Sequence, residues 1–300
     1  MLVFLVASGG CEPRKRSFDS RPPAKLFAIT GAAGEIARID TINGSGYVRS
    51  DIVFDPDSNS FAPLTVIPIP PDKMLIWGSS TSPPFTREFR ILDSNGSTQD
   101  IIELPGKASS FVKPFIKGVF ADDQGVTVII SKDEVAILAQ LDAQSHEMLE
   151  VATWSDLSGN VYMCGTGFVV VDTNAATCDQ VDIDGNVIAT IDIGDGKHAR
   201  IGDSVRGHQV GKRTILTKGR SVYEVTLTNQ GLSSREIGRL SAKAAEGRGL
   251  AFVQGNNGDL FLTYYYDQPS VTYIEELSSA SSAVISVGTI WGSVEYMNNN

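Results

Sequence analysis

The sequence predicts an all-β fold, a β-propeller of four-stranded antiparallel blades. A unit of strand, polar turn and strand recurs along the chain, and its clearest turns centre near Gly96, Gln144, Gly185, Gly231 and Ser281. The intervals of 48, 41, 46 and 50 residues correspond to the length of one propeller blade. A blade cannot bury both of its faces alone, so such sheets pack radially around an axis. Helical periodicity is not sustained anywhere, which argues against alternating strand and helix folds.

The N-terminal residues predict a signal and a tether. Residues 1–11, MLVFLVASGGC, form an apolar run that ends in small residues and Cys11. This pattern resembles a bacterial lipoprotein signal, which is cleaved before the cysteine and lipidated on its sulfur. The run is short and lacks a basic start, so two alternatives remain: an upstream start, or a frayed terminus with an accidental cysteine. Residues 12–25 are rich in proline and mixed charge and predict a flexible tether.

Residues 26–300 predict a single propeller domain. KLFAITGAAGEIARIDTI reads as an opening hairpin over 26–42, followed by an insertion, NGSGYVRSDIVFDPDSNSFAP, and then by five full blades. The second full blade, for example, reads as GVFAD, VTVIIS, VAILAQLD and MLEVATW. The opening hairpin needs inner strands from the other end of the chain, and WGSVEYMNNN supplies only one. We therefore expect a ring that lacks its last strands, with six blades as the natural total and five or seven as alternatives.

Hairpins such as ILDSNG, VDIDGN and VTLTNQG are similar to those of six-bladed propellers of the NHL and TolB-like kind, and more loosely to propeller lipoproteins of bacterial envelopes. The resemblance covers most of the chain and implies the fold but little chemistry. Some of the resembling propellers are lactonases or lyases with a central metal or histidines. No matching ligand set can be placed on these residues, so neither a metal, a cofactor nor a catalytic residue is predicted.

Two motif-like segments predict turns. ITGAAGEIARID resembles the glycine-rich opening of short-chain dehydrogenases, but Glu35 and Ala37 stand where that family has glycine. DIDGN at 182–186 begins like a calcium loop, but Val187 replaces its glycine and Ile193 its bidentate glutamate. Aspartate followed by glycine is instead a strong hairpin signal.

The remaining cysteines and the histidines give weak signals. Cys164 and Cys178 are predicted on the first and third strands of one blade, roughly 9–10 Å apart across the sheet, and so as two separate buried thiols. His146 is expected in a solvated turn. His198 and His208 flank the long connection GDGKHARIGDSVRGH and are candidates for acid and base if it folds over a pocket.

Charge is predicted to divide between the two faces of the disc. Connections between strands one and two and between strands three and four of each blade lie on the hairpin face. Connections between strands two and three and between blades lie on the between-blade face. The hairpin face is expected to be strongly acidic, opposed mainly by Lys73, and its members are Asp72, Asp93, Asp100, Asp122, Asp123, Asp142, Glu147, Asp182, Asp184 and Asp259.

The between-blade face is predicted to be weakly positive and to bind an anion. Its cations and histidines outnumber its acids, although the whole chain carries a formal charge of −10. The predicted binding residues are Lys113, Lys117, Trp154, Lys197, His198, Arg206, His208 and Arg248. The acidic total argues against a nucleic-acid partner.

The sequence thus favours a non-catalytic propeller module in the bacterial cell envelope, anchored to the membrane only through Cys11. Its expected partner is an anionic small molecule, a glycan or an envelope protein. One alternative is a propeller hydrolase or lyase with a histidine or metal site in the central channel. A third is a structural subunit of an envelope complex, suggested by the tether and by Tyr264 and Tyr266 as surface aromatics.

Overall fold

The computed structural model describes residues 26–30, 35–43, 46–52, 61–69, 73–80, 87–93, 97–106, 108, 115–122, 125–132, 134–142, 145–155, 157, 159–197, 199–254, 260–267, 270–277, 284–291 and 294–299. For part of these residues it describes the backbone alone. The signal, the tether and Cys11 lie outside these ranges.

Short strands joined by turns make up nearly all of the described chain. The first half contains β1 (Leu26–Thr30), β2 (Glu35–Asn43), β3 (Gly46–Ile52), β4 (Phe61–Ile69), β5 (Lys73–Ser80), β6 (Arg87–Leu92), β7 (Thr98–Ile102), β8 (Phe115–Asp122), β9 (Gly125–Lys132), β10 (Val135–Leu141) and β11 (Met148–Trp154). The second half contains β12 (Asn160–Cys164), β13 (Gly167–Asp172), β14 (Thr177–Val181), β15 (Val187–Asp192), β16 (Val205–Val210), β17 (Arg213–Lys218), β18 (Ser221–Thr228), β19 (Gly231–Arg239), α1 (Ala242–Glu246), β20 (Arg248–Gln254), β21 (Leu260–Asp267), β22 (Ser270–Leu277), β23 (Val284–Trp291) and β24 (Val294–Asn299).

The described strands form six four-stranded antiparallel sheets. Sheet A has the order β24-β1-β2-β3, and the others follow the chain: sheet B is β4 to β7, C is β8 to β11, D is β12 to β15, E is β16 to β19 and F is β20 to β23. The first strands β4, β8, β12, β16 and β20 contact one another in that order, and β24 contacts both β20 and β4. The sheets therefore surround a common axis with these six strands innermost, which confirms the predicted all-β propeller of four-stranded antiparallel blades.

Sheet A differs from the sequence prediction. The predicted insertion contains β3, which pairs with β2 from Asn43↔Gly46 to Ile36↔Ile52. The opening hairpin is therefore formed by the second and third strands of its sheet rather than by the third and fourth. One C-terminal strand, β24, pairs with β1 from Leu26↔Asn299 to Thr30↔Val294 and gives sheet A four strands. Apolar alternation marks a segment as a strand but does not tell its place in the sheet, which explains the error.

The core lies at the junctions between consecutive sheets, because each central strand is apolar on both of its sides. In β9, Val128 and Ile130 pack against sheet B, whereas Ile129 packs against sheet D. In β10, Ile137, Ala139 and Leu141 face sheet B, whereas Ala136 and Leu138 face sheet D. This period of two explains why VTVII and VAILA read as continuous apolar runs.

Helix makes a small contribution to the described fold. The five-residue α1 lies between β19 and β20, and the Ser241 hydroxyl that caps it accepts a hydrogen bond from Ala244 N at 3.0 Å. Nowhere in the described part of the chain is a helix long and apolar enough to cross a bilayer.

Candidate functional site on the between-blade face

Basic residues begin three of the six innermost strands. Lys117 is the third residue of β8, Arg206 the second of β16 and Arg248 the first of β20. Each of these strands follows a connection between sheets, so each begins at the between-blade face. Strand β16 contacts both β8 and β20. The backbone thus brings the three positions to one end of the ring, and the Arg206 side chain is exposed there.

Other predicted site residues fall beyond what the structure describes. Lys113 and His198 lie outside the described residues, and for Lys117 and Arg248 only the backbone is described. Lys197 is exposed, and its backbone N–H donates to Glu236 Oε2 at 3.0 Å. Arg206 and Lys197 are therefore the predicted cations whose side chains are described, and both are exposed.

That connection is fixed to sheet E at its first residues. Lys218, at the end of β17, donates through Nζ to Ile193 O and to Asp195 Oδ1, both at 2.9 Å. The Tyr223 hydroxyl donates to Gly194 O at 3.0 Å. These bonds set the path of the segment that carries Lys197, whose bond to Glu236 places it beside β19, the outermost strand of sheet E.

Lys218 is the residue of this region that sequence reasoning missed. Its side chain is only 8% exposed, which is unusual for lysine, and its partner Asp195 is 43% exposed. The available signal was a lysine that ends the apolar strand RTILTK. A buried ammonium needs a paired acceptor, and an aspartate in the preceding connection supplies it.

His208 is close to the axis but contributes no positive charge near neutral pH. Its ring packs edge-on against Phe252 of sheet F, with centroids 4.9 Å apart. Burial, followed by the charge of Arg206, lowers the pKa of His208 to about 4. The prediction that His208 adds to a cationic rim is therefore wrong, because an imidazole inserted between two sheets stays neutral.

Trp154 does not line a ligand surface, which corrects another predicted site residue. It is 1% exposed and packs against Phe168 of sheet D at 5.0 Å between ring centroids. Its Nε1 donates to Asp182 O at 3.2 Å. Adjacent strands rotate by roughly 20–25°, so the fourth strand runs far from the direction of the axis. The end of β11 therefore lies beside the neighbouring sheet.

Many acids of the hairpin face have a structural function in turns. Asp182 Oδ1 accepts from Asp184 N at 3.0 Å and from Asn186 N at 2.8 Å, and the Asn186 side chain lowers the pKa of Asp182. Asp142 Oδ1 accepts from Ser145 N at 2.7 Å, and Asp93 Oδ1 from Ser97 N at 3.0 Å. Turn chemistry therefore accounts for much of this acidity. Segment 182–186 is the predicted turn.

Two further expectations about side chains are wrong. His146 lies in the β10–β11 hairpin as predicted, but its side chain is only 18% exposed and is bonded to Lys73 and Asp100. Tyr264 is buried rather than on the surface, and its hydroxyl donates to Glu275 Oε1 at 2.6 Å. Tyr266 is partly exposed.

Cys164 and Cys178 lie on the first and third strands of sheet D, as predicted. Both are buried free thiols. Burial raises the pKa of Cys178 to about 12 and raises that of Cys164, because a thiolate is poorly solvated there.

Among the residues that the structure describes, no group of three or more His, Cys, Asp or Glu side chains is arranged to hold a metal ion.

Comparisons with known proteins identify the fold and nothing finer. No protein-family model matches the chain, and no curated protein matches it in sequence. A protein of unknown function from Bacteroides caccae has a similar structure, with a TM-score of 0.55, 9% identity, and coverage of 92% of this chain and 98% of its own. A protein from Bacteroides uniformis, provisionally named a 6-phosphogluconolactonase, has a TM-score of 0.50, 11% identity, and coverage of 93% and 100%.

The Dos1 propeller is similar over 80% of this chain and 62% of its own, with a TM-score of 0.46 and 10% identity.

Proposed function

We propose that the protein is a non-catalytic binding module, a six-bladed propeller of the NHL and TolB-like kind whose between-blade face binds an anionic ligand. The ligand class is a small molecule, glycan or protein segment that carries carboxylate or phosphate groups. The proposal extends the fold, which is common to binding proteins and enzymes alike.

The observation that carries the proposal is the position of Lys117, Arg206 and Arg248 at the same end of three innermost strands. Cations grouped at the mouth of a channel in an acidic protein focus an anion towards that mouth. Arginine also offers two parallel donors to a carboxylate or phosphate. The fixed connection from sheet D to sheet E supports the same site, because it holds Lys197 on this face.

The test compares charge reversal on the two faces. Titration calorimetry at low ionic strength, with inorganic phosphate and citrate as probes, should show binding by the unchanged protein. Arg206→Glu with Arg248→Glu should weaken it at least tenfold. Arg206 is exposed and an exposed charge contributes little to folding, so Arg206→Glu alone should change thermal stability little.

The matched control is Lys212→Glu with Arg235→Glu. Lys212 is exposed in the β16–β17 hairpin and Arg235 is 80% exposed on β19. This pair makes the same change of net charge away from the proposed site and should leave binding intact. An equal loss of affinity in both double variants would contradict the proposal. So would a failure of the unchanged protein to bind either probe.

We propose further that Cys11 carries a lipid that anchors the propeller in the bacterial cell envelope. The apolar run before Cys11 and the polar tether after it support this. Expression in a bacterial host should yield a membrane-bound protein whose mass includes a diacylglyceryl group. Cys11→Ser should release it, and an unlipidated Cys11 in that host would exclude the anchor.

A further inference from the structure

A lysine, a histidine and an aspartate form a chain of hydrogen bonds on the hairpin face, opposite the face of the site described above. Lys73 Nζ lies 2.9 Å from His146 Nε2, and His146 Nδ1 lies 3.1 Å from Asp100 Oδ2. Lys73 begins β5 and Asp100 belongs to β7, both in sheet B, whereas His146 belongs to sheet C. The imidazole thus bridges two sheets.

The backbone holds the imidazole in this position at a cost. His146 has φ 59°, in the left-handed region that residues with a side chain rarely adopt. Its N–H donates to Asp142 O at 3.0 Å, and the Asp142 N–H donates to Glu147 O at 2.9 Å. Strained positions of this kind persist where the surrounding structure determines them, and they are common at functional sites.

One arrangement of protons satisfies both contacts. An ammonium has donors only, so Lys73 donates to Nε2, and the neutral ring then carries its proton on Nδ1 and donates to Asp100. This is the order of nucleophile, base and orienting acid that activates nucleophiles in enzymes. Here an amine occupies the nucleophile's place.

We propose that Lys73 is a base-activated amine that forms an imine with neutral aldehydes. His146 Nε2 takes a proton from the ammonium, and Asp100 stabilises the resulting imidazolium. The free Nζ lone pair forms a bond to the carbonyl carbon as the C=O π bond breaks, and one amine hydrogen passes to the carbonyl oxygen to give a neutral carbinolamine. The imidazolium returns its proton to solvent. Loss of water, with the second amine hydrogen, gives the C=N bond. No oxidant or reductant is required.

The surrounding charge selects the class of aldehyde. Asp93, Asp142 and Glu147 lie in the turns of the same face, so an aldehyde that carries phosphate or carboxylate is repelled. Neutral aldehydes are not repelled. This site and the proposed anion site are on opposite faces, so either can fail without the other.

The experiment measures reductive alkylation with propionaldehyde and sodium cyanoborohydride at pH 7, with the aldehyde limiting, followed by peptide mass spectrometry. Lys197 and Lys243 are exposed and serve as references within the same molecule. Lys73 should be labelled at least tenfold faster than either, since a positioned base typically accelerates proton transfer by about 10²-fold or more. Lys73→Arg should remove that label only.

Variants separate activation from simple exposure. His146→Gln should lower the labelling rate of Lys73 to that of Lys197, with the reference lysines unchanged. Asp100 is 47% exposed, so its variants should fold. As a positioning residue, Asp100→Asn should slow labelling of Lys73, and Asp100→Glu should restore it. Labelling of Lys73 in the unchanged protein no faster than that of Lys197 would overturn the proposal, as would a rate unaffected by both Asp100→Asn and His146→Gln.

Discussion

The junction between sheets C and D is held mainly by apolar packing, with one hydrogen bond from Trp154 Nε1 to Asp182 O, whereas the junction between sheets D and E has several hydrogen bonds. At the first, Trp154, Ile129 and Leu138 pack against Val161 and Val170. Dispersion and burial do not depend on direction, so this contact tolerates a shift of one sheet against the other. Hydrogen bonds do depend on direction, so the several bonds at the D/E junction restrict such a shift more strongly.

At the junction between sheets D and E, side chains of sheet E form hydrogen bonds with the backbone of the innermost strand of sheet D. Met163, on the innermost strand β12, donates through its N–H to Gln209 Oε1 at 2.7 Å. Met163 O accepts from Gln209 Nε2 at 2.9 Å and from Thr214 Oγ1 at 2.7 Å. Tyr162 donates its hydroxyl to Gly207 O at 3.1 Å. An innermost strand has a partner on one side only, and here side chains of the next sheet replace the missing strand.

The two junctions differ in how strictly the fold requires particular residues. At the C/D junction most side chains need only suitable size, but at the D/E junction several need particular donor and acceptor atoms. The polar junction also positions the connection that carries Lys197, through Lys218 and Tyr223. The residues that hold Lys197 on the proposed binding face therefore lie between sheets D and E.

The largest loss of stability is expected when a large side chain is removed from the apolar junction between sheets C and D. Trp154→Ala removes a side chain that is 1% exposed and should lower the free energy of unfolding by about 3–5 kcal/mol. Leu149→Ala on the same strand is the control, because Leu149 is 60% exposed and should change stability by less than about 0.5 kcal/mol. Denaturant unfolding measures both, and similar losses would show that Trp154 does not anchor the junction.

A third junction, between sheets E and F, should respond to pH. The pKa of His208 is about 4 in the folded protein and about 6.5 when unfolded, so the unfolded chain binds the proton more readily. The neutral ring therefore makes its full contribution to the free energy of unfolding above about pH 6.5. As the pH falls towards 4 this contribution is lost, and the loss is at most about 3 kcal/mol. Unfolding of the protein and of His208→Leu, measured from pH 8 to 4, isolates this loss.

The two proteins of that comparison share their carboxylates, so acid effects common to both cancel in the difference. If the free energies of unfolding of the two proteins change in parallel with pH, the pKa of His208 is the same in the folded and unfolded chains. Its ring would then not be held between the sheets.

The smallest of these effects tests the polar junction. Gln209→Leu leaves the Met163 N–H without its hydrogen bond. It should lower the free energy of unfolding by about 1–3 kcal/mol, even though the leucine adds apolar surface. Gln230→Leu, in the exposed turn before β19, makes the same chemical change without that loss. If the Gln209 variant is as stable as the Gln230 variant, hydrogen bonds to the inner edge are not what distinguishes the two junctions.

Local signals were sufficient for most strands. The second full blade was predicted as four strands, and β8, β9, β10 and β11 occupy the same segments, because alternating apolar residues and turn residues act within one strand or hairpin. Strand β3 was missed since Arg49 and Asp51 interrupt its apolar character. Outer strands bury less surface and so give a weaker pattern.

Side-chain environments were predicted less well, for a reason that Trp154, His208 and His146 share. Each was assigned to a face or a turn from its place in the chain, as if every strand ran parallel to the axis. The twist of a sheet and the approach of its neighbour place all three side chains against another sheet. Such contacts join residues of separate repeats, and no periodicity in a single sequence reports them.

The repeat, most strands and the acidic turns follow from local sequence, because they depend on hydrophobic alternation and on the preferences of Asp, Asn and Gly over a few residues. The polar groups that meet across the junctions, including Gln209 with Met163, Lys218 with Asp195 and His146 with Lys73, could be found only in the folded ring. Each of these bonds depends on the relative position of two elements, and the chain brings those elements together only when it folds.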